Sequence, residues 1–112
     1  MKLVTAIIKP HSLSAVREAL ASMDVAGMSI SEVKGFGHVL DVALTFKDTP
    51  FIQTYSPHIK VELVLPEEEA ELVAEAIQRI TCCGDEGDGR VLVSAMQQAL
   101  RIRTGESGAL AI

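Results

Sequence analysis

At 112 residues the chain has room for one domain with its own core and none for a solenoid of repeats. With 48% hydrophobic and 22% charged residues it is a folding sequence, and an excess of 15 acidic over 10 basic side chains, net −5, argues against nucleic-acid binding through clustered cations. A small anionic ligand, which needs only a few local donors, stays compatible with that balance. No apolar run reaches the ~18 residues of a membrane helix, and the amino terminus lacks a basic segment followed by an apolar one; a cytoplasmic protein without membrane insertion is expected.

The segment Lys2 to Ile8, rich in Val and Ile and stopped by Pro10, reads as a buried strand. A helix follows, with Ser12 or Ser14 as its cap and Leu13, Val16, Leu20 and Met23 as an apolar stripe at three- and four-residue spacing. Gly27 ends the turn after it. Met28, Ile30 and Val33 among polar neighbours predict a second strand from Met28 to Lys34, closed by Gly35-Phe36-Gly37.

The second half repeats the plan. From His58 to Leu65 the sequence alternates, so that Ile59, Val61, Leu63 and Leu65 share one face of a strand. Pro66 opens a helix whose first turn carries Glu67, Glu68 and Glu69, where acids favour the helix dipole, and whose apolar stripe is Leu72, Val73, Ala76, Ile77 and Ile80. A glycine-rich turn, Gly84 to Gly89, leads into a strand from Arg90 to Val93. Two strand-helix-strand units predict an α+β fold: a ferredoxin-like double βαβ subunit, its antiparallel sheet covered by two helices on one face. The other face, rich in Val, Ile and Leu, is costly to leave in water, and homo-oligomerisation covers it; clefts between subunits then become ligand sites.

Several stretches carry a resemblance. Met1 to Pro10 (MKLVTAIIKP), Val16 to Leu20 (VREAL), Glu32 to Gly37 (EVKGFG), Gly87-Asp88-Gly89 and Arg101 to Glu106 (RIRTGE) are similar, in order and spacing over nearly the whole chain, to the PII signal-transduction family. The resemblance implies a homotrimer of ferredoxin-like subunits that binds ATP or ADP in the three clefts between subunits, with AMP a further candidate and magnesium left open. It also implies regulation of a transporter, a membrane transporter among the candidates, or of an enzyme, by direct contact through a long T-loop. On this reading residues 1–112 form one domain, with the T-loop at about 37–57, a phosphate-binding loop at about 82–90 and a carboxyl-terminal segment at about 97–112.

The resemblance puts Gly87, Asp88, Gly89, Arg90, Arg101 and Arg103 around the phosphates, with Arg90 where the family usually has lysine. Gly35, Phe36, Gly37 and His38 close the cleft, and Ser29, usually threonine, and Val64 line the adenine side. Physical chemistry supports the assignment: glycine-rich backbone can turn its amides toward phosphate oxygens, and each arginine adds a forked, charged donor. Taken alone, such a loop is an ordinary turn, since it lacks the Gly-Lys-Ser/Thr ending of a P-loop.

The sequence departs from the family between His38 and Pro57. Val39 stands where a glutamine helps hold 2-oxoglutarate and magnesium, His58 where a lysine pairs with that acid, and Phe51 where a tyrosine is nucleotidylated. Valine cannot ligate a metal, and imidazole is a weaker carboxylate partner than an ammonium group, so no ordinary 2-oxoglutarate response is expected. Tyr55 is no positional replacement for the tyrosine. Val42, Leu44 and Phe46 alternate, so this stretch reads either as an ordered hairpin on its own trimer or as a partner-docking surface.

Cys82 and Cys83 are adjacent and cannot readily bridge each other; at least one is expected to be a small buried hydrophobe, and the pair lacks the spacing of a structural zinc site. A thiol sensor or a soft-metal site with His38 or His58 is the competing use of the pair. His11 is expected at the surface. Asp85, Glu86 and Asp88 cluster near glycine, but no nucleophile-base-orienter set can be assembled, and no catalytic or metal residues are assigned. The alternative function is a trimeric adaptor or a sensor of bicarbonate, redox state or a metal with weak nucleotide dependence.

Overall fold

The computed structural model describes residues 1–25, 27–35, 56–84 and 89–112. The chain runs β1 (Lys2–Ile8), α1 (Leu13–Ser22), β2 (Ser29–Gly35), β3 (Ser56–Leu65), α2 (Glu67–Thr81) and β4 (Gly89–Ala95). The strands form one antiparallel sheet in the order β2-β3-β1-β4. This is the ferredoxin-like double βαβ arrangement, and both helices share one face of the sheet.

Strand alternation builds the core. Val4, Ala6 and Ile8 of β1 and Ile59, Val61, Leu63 and Leu65 of β3 point to the helix side and are buried, as the period-two pattern requires. Val16 and Leu20 of α1 and Ala70, Val73 and Ile77 of α2 complete the cluster. On the opposite face the register aligns Ser29, Glu62, Thr5 and Leu92 in one row and Ser31, Lys60, Ile7 and Arg90 in the next. Leu3, Ile7 and Val64 are half-buried there, Leu92 is exposed, and Lys60 pairs with Glu62 at 3.8 Å.

The structure corrects several local expectations. Pro10 starts a 3-10 turn, Pro10–Ser12, that runs straight into α1, so the backbone of Ser12 is already helical (φ −86°, ψ −11°) and its hydroxyl caps nothing; Ser14 lies inside the helix. The chain leaves α1 not through Gly27 but through Asp24, at φ +61°, a conformation that aspartate tolerates better than most residues. Met23, beyond the last turn, is 38% exposed. Leu72 is 58% exposed: the buried stripe of α2 runs through Ala70, Val73, Ala76 and Ile77, one step round the helix from Leu72. β2 begins and ends one residue later than predicted, and β4 extends two residues further. His11 is exposed, as expected.

Candidate functional site

The predicted ligand residues fall into two groups at opposite corners of the sheet. The first lies where the chain enters β2. Ser29 is paired across β2 and β3 with Glu62, and Val64 is paired with Leu3 of β1, so alternation turns all four to the helix-free face. They line a groove of about 700 Å³ whose walls also include Met28, Ala109 and Ile112. Glu62 was not among the predicted residues. Its signal was the mid-strand carboxylate in the even register of Lys60 and Val64, facing away from the core.

The carboxyl-terminal segment belongs to this corner. Leu100 bridges Ser107, Arg101 N–H donates to Glu106 O at 2.8 Å, and Gly105 N–H donates to Arg101 O at 2.8 Å, closing a tight hairpin. The hairpin folds back through a 3-10 turn, Gly108–Ala111, and the half-buried Arg101 donates from Nη2 to the main-chain oxygen of Ile112 at 3.1 Å. Arg103, at the hairpin tip, is exposed.

The second group lies where β4 begins. Gly89 and Arg90 share a cleft of about 250 Å³ with Ile8, Gln78, Thr81, Cys82 and Val91. Gly89 has φ +107°, and a Cβ there would overlap the carbonyl oxygen of Ile7 on β1. Strand pairing therefore requires glycine at this position whatever it binds. Gly35, the last residue of β2, pairs with Ser56 at this same end of the sheet. Phe36, Gly37, His38, Gly87 and Asp88 lie outside the described residues, as do Val39, Phe51, Tyr55 and the rest of the T-loop up to residue 55; Ser56 and Pro57, placed at its end by the sequence, instead begin β3, two residues ahead of the predicted His58.

Within one chain the two groups do not meet. Ser29 sits on one edge strand and Gly89 on the other, three strand spacings or about 14 Å apart across the sheet. The offset along the strands adds about 10 Å, because Ser29 aligns with Thr5 and Gly89 with Ile8.

His58 is 4% exposed, and its Nδ1 lies 3.1 Å from the carbonyl oxygen of Ser56. A carbonyl only accepts, so Nδ1 carries the proton in that bond. With Nδ1 committed to that carbonyl, Nε2 is the ring nitrogen left to meet a ligand. Both cysteines are exposed, contrary to the expectation that one is buried. α2 ends at Thr81, whose hydroxyl donates to Ile77 O at 2.8 Å, and the chain turns extended at Cys82 before either thiol can reach the core. Among the described residues no three His, Cys, Asp or Glu side chains cluster to hold a metal, and no helix is long and apolar enough to cross a membrane.

Comparison with known proteins fits this geometry. The family described as Nitrogen regulatory protein P-II matches residues 1–106. The chain is 42% identical over 108 residues to the nitrogen regulatory protein P-II of Rhodobacter capsulatus, covering 96% of both chains. It is 36% identical over 112 residues to the nitrogen regulatory protein GlnK of Escherichia coli K12, covering 100% of both. Among solved structures, that of Arabidopsis thaliana PII bound to citrate superposes with a TM-score of 0.81 at 29% identity, covering 99% of this chain and 91% of that one. Fold and sequence together place the chain among small regulatory signal-transduction proteins. The chain belongs to the P-II family of nitrogen regulatory proteins, whose members generally bind adenine nucleotides and 2-oxoglutarate and act on target proteins.

Proposed function

We propose that this protein is a trimeric P-II sensor of adenine nucleotide, ATP or ADP with AMP a further candidate, that signals through its T-loop to a transporter or enzyme without the usual 2-oxoglutarate response. The observation that carries this reading is the split of the candidate residues between two distant corners of one subunit. In a closed ring, the groove of Ser29 and Val64 with Arg101 and Arg103 on one subunit meets the β4 corner of the next. That neighbour contributes Gly87, Asp88, Gly89 and Arg90, and its Gly35, Phe36, Gly37 and His38 close the cleft. The apolar open face, with Leu3, Ile7, Val64 and Leu92, supplies the surface that holds the ring together.

The arginines and loop amides recognise phosphate, and the apolar wall at Val64 accepts the base. A nucleotide alters the T-loop, residues 37–57, only insofar as it binds one loop conformation better than another. Val39, and a buried His58 whose Nδ1 is committed to the carbonyl of Ser56, argue against capture of 2-oxoglutarate. Titration calorimetry with ATP, ADP and AMP, alongside sedimentation of the same sample, tests the reading: one nucleotide per subunit on a trimer is expected. A trimer that binds none of the three would favour the adaptor, or a sensor of bicarbonate, redox state or a metal.

A further inference from the structure

We propose that Cys82 is a thiol modification site in the β4 corner, where a small disulfide carrying carboxylates forms a mixed disulfide with it and so competes with the nucleotide. The competition rests on the nucleotide reading above; the reactivity of the thiol does not. Cys82 and Cys83 are adjacent, both exposed and neither disulfide-bonded, yet their surroundings differ. Cys83 donates from Sγ to the carbonyl oxygen of Thr81 at 3.6 Å, and ionising it forfeits that bond, since a thiolate cannot donate. Cys82, where the backbone turns extended (φ −70°, ψ 115°) as α2 ends, instead lines the cleft of about 250 Å³ that it shares with Gly89 and Arg90.

The cleft joins a nucleophile to a cation. Arg90 is exposed, and no carboxylate of the described residues pairs with it. A guanidinium so placed draws in an anionic disulfide and holds one of its carboxylates by forked, charge-assisted bonds. Cys82 gives its proton to water, and the thiolate attacks one sulfur of the held disulfide. The S–S bond breaks, its electron pair leaves on the other sulfur, and that sulfur takes up a proton. Half of the reagent departs reduced, as a thiol, and Cys82 is left oxidised in the mixed disulfide. The adduct fills the cleft beside Gly89 and engages Arg90, the donor assigned to phosphate. Adduct and nucleotide therefore exclude each other, and bound nucleotide shields the thiol.

Mass spectrometry of the full chain treated with the anionic glutathione disulfide or the cationic cystamine tests this. Glutathione disulfide should modify Cys82 about tenfold faster than Cys83, and Cys82→Ser, but not Cys83→Ser, should abolish the fast adduct. In Arg90→Gln the reaction of Cys82 with glutathione disulfide should slow about three- to tenfold while that with cystamine quickens. A mere loosening of the corner would move both reagents the same way. Saturating ADP should slow both reactions at Cys82 about tenfold or more. Equal labelling of the two cysteines, or an Arg90→Gln effect of one sign on both reagents, would overturn the site. ADP that binds by calorimetry without shielding Cys82 would overturn the competition and leave the nucleotide reading intact. Absence of ADP binding would overturn that reading and the competition together, whereas the thiol site stands or falls on the two reagents.

Discussion

Arg101 and Arg103 carry the same charge two residues apart, yet Arg101 is half-buried against the main-chain oxygen of Ile112 and Arg103 stands in water at the hairpin tip. If both reach phosphate, Arg101→Ala or Arg103→Ala should each weaken ATP binding about ten- to a hundredfold, the worth of a charge-assisted bond of ~1.5–3 kcal/mol, with the oligomer intact. Calorimetry beside sedimentation measures both, and unchanged affinity in both variants removes the arginines from the site. Gly89→Val is a test of the fold instead. Its φ of +107° and the crowding against Ile7 should cost upwards of ~3 kcal/mol, read as a lower denaturant midpoint without any ligand. A midpoint equal to that of the parent would show that β1 and β4 tolerate a side chain there. At position 58, a buried imidazole with Nδ1 committed to the Ser56 carbonyl, in place of a long ammonium side chain, predicts no tight binding of 2-oxoglutarate to protein saturated with ATP and magnesium; micromolar binding would mean that other groups hold the acid.

At the scale of the elements, α2 separates burial from composition. Ile77 is 1% exposed and Leu72 is 58% exposed, so Ile77→Ala should destabilise by about 2–5 kcal/mol and Leu72→Ala by at most about 0.5 kcal/mol in the isolated subunit. Equal losses in thermal or chemical unfolding would contradict the helix orientation. The same pair shows how far the sequence could be read. Alternation on β3 revealed its buried face because a period of two leaves no ambiguity, and the two βαβ halves followed from it. A helical stripe is wider, and apolar residues at 72, 73, 76, 77 and 80 leave its edge undefined until neighbours pack against it. The cap at Ser12 was misread because Pro10 had already set the turn. The candidate ligand residues were legible as types and spacings. Their separation into two corners was not, since it depends on strand order and on which residues pair across the sheet.

For the whole molecule, the decisive surface is the open face of the sheet. Leu92 stands in one row with Thr5 and Glu62, so Leu92→Glu would bring a second carboxylate onto the face that the proposed trimer covers. Sedimentation should then show smaller species at concentrations where the parent is trimeric. Far-ultraviolet circular dichroism should be unchanged, because Leu92 is 52% exposed in the subunit. A trimer that survives the substitution would place the subunit contact elsewhere.

In the proposed trimer, the two corners of the sheet also predict how defective subunits behave in company. One chain carrying Arg101→Ala and another carrying Arg90→Ala would each form a ring with every cleft damaged. Mixed rings are different, because a cleft draws one corner from each of two neighbours. Whichever way two of one kind and one of the other are arranged around a threefold ring, a single junction receives both sound corners. Random co-assembly of equal amounts should thus restore about a quarter of the clefts, an intersubunit complementation that neither parent preparation can show.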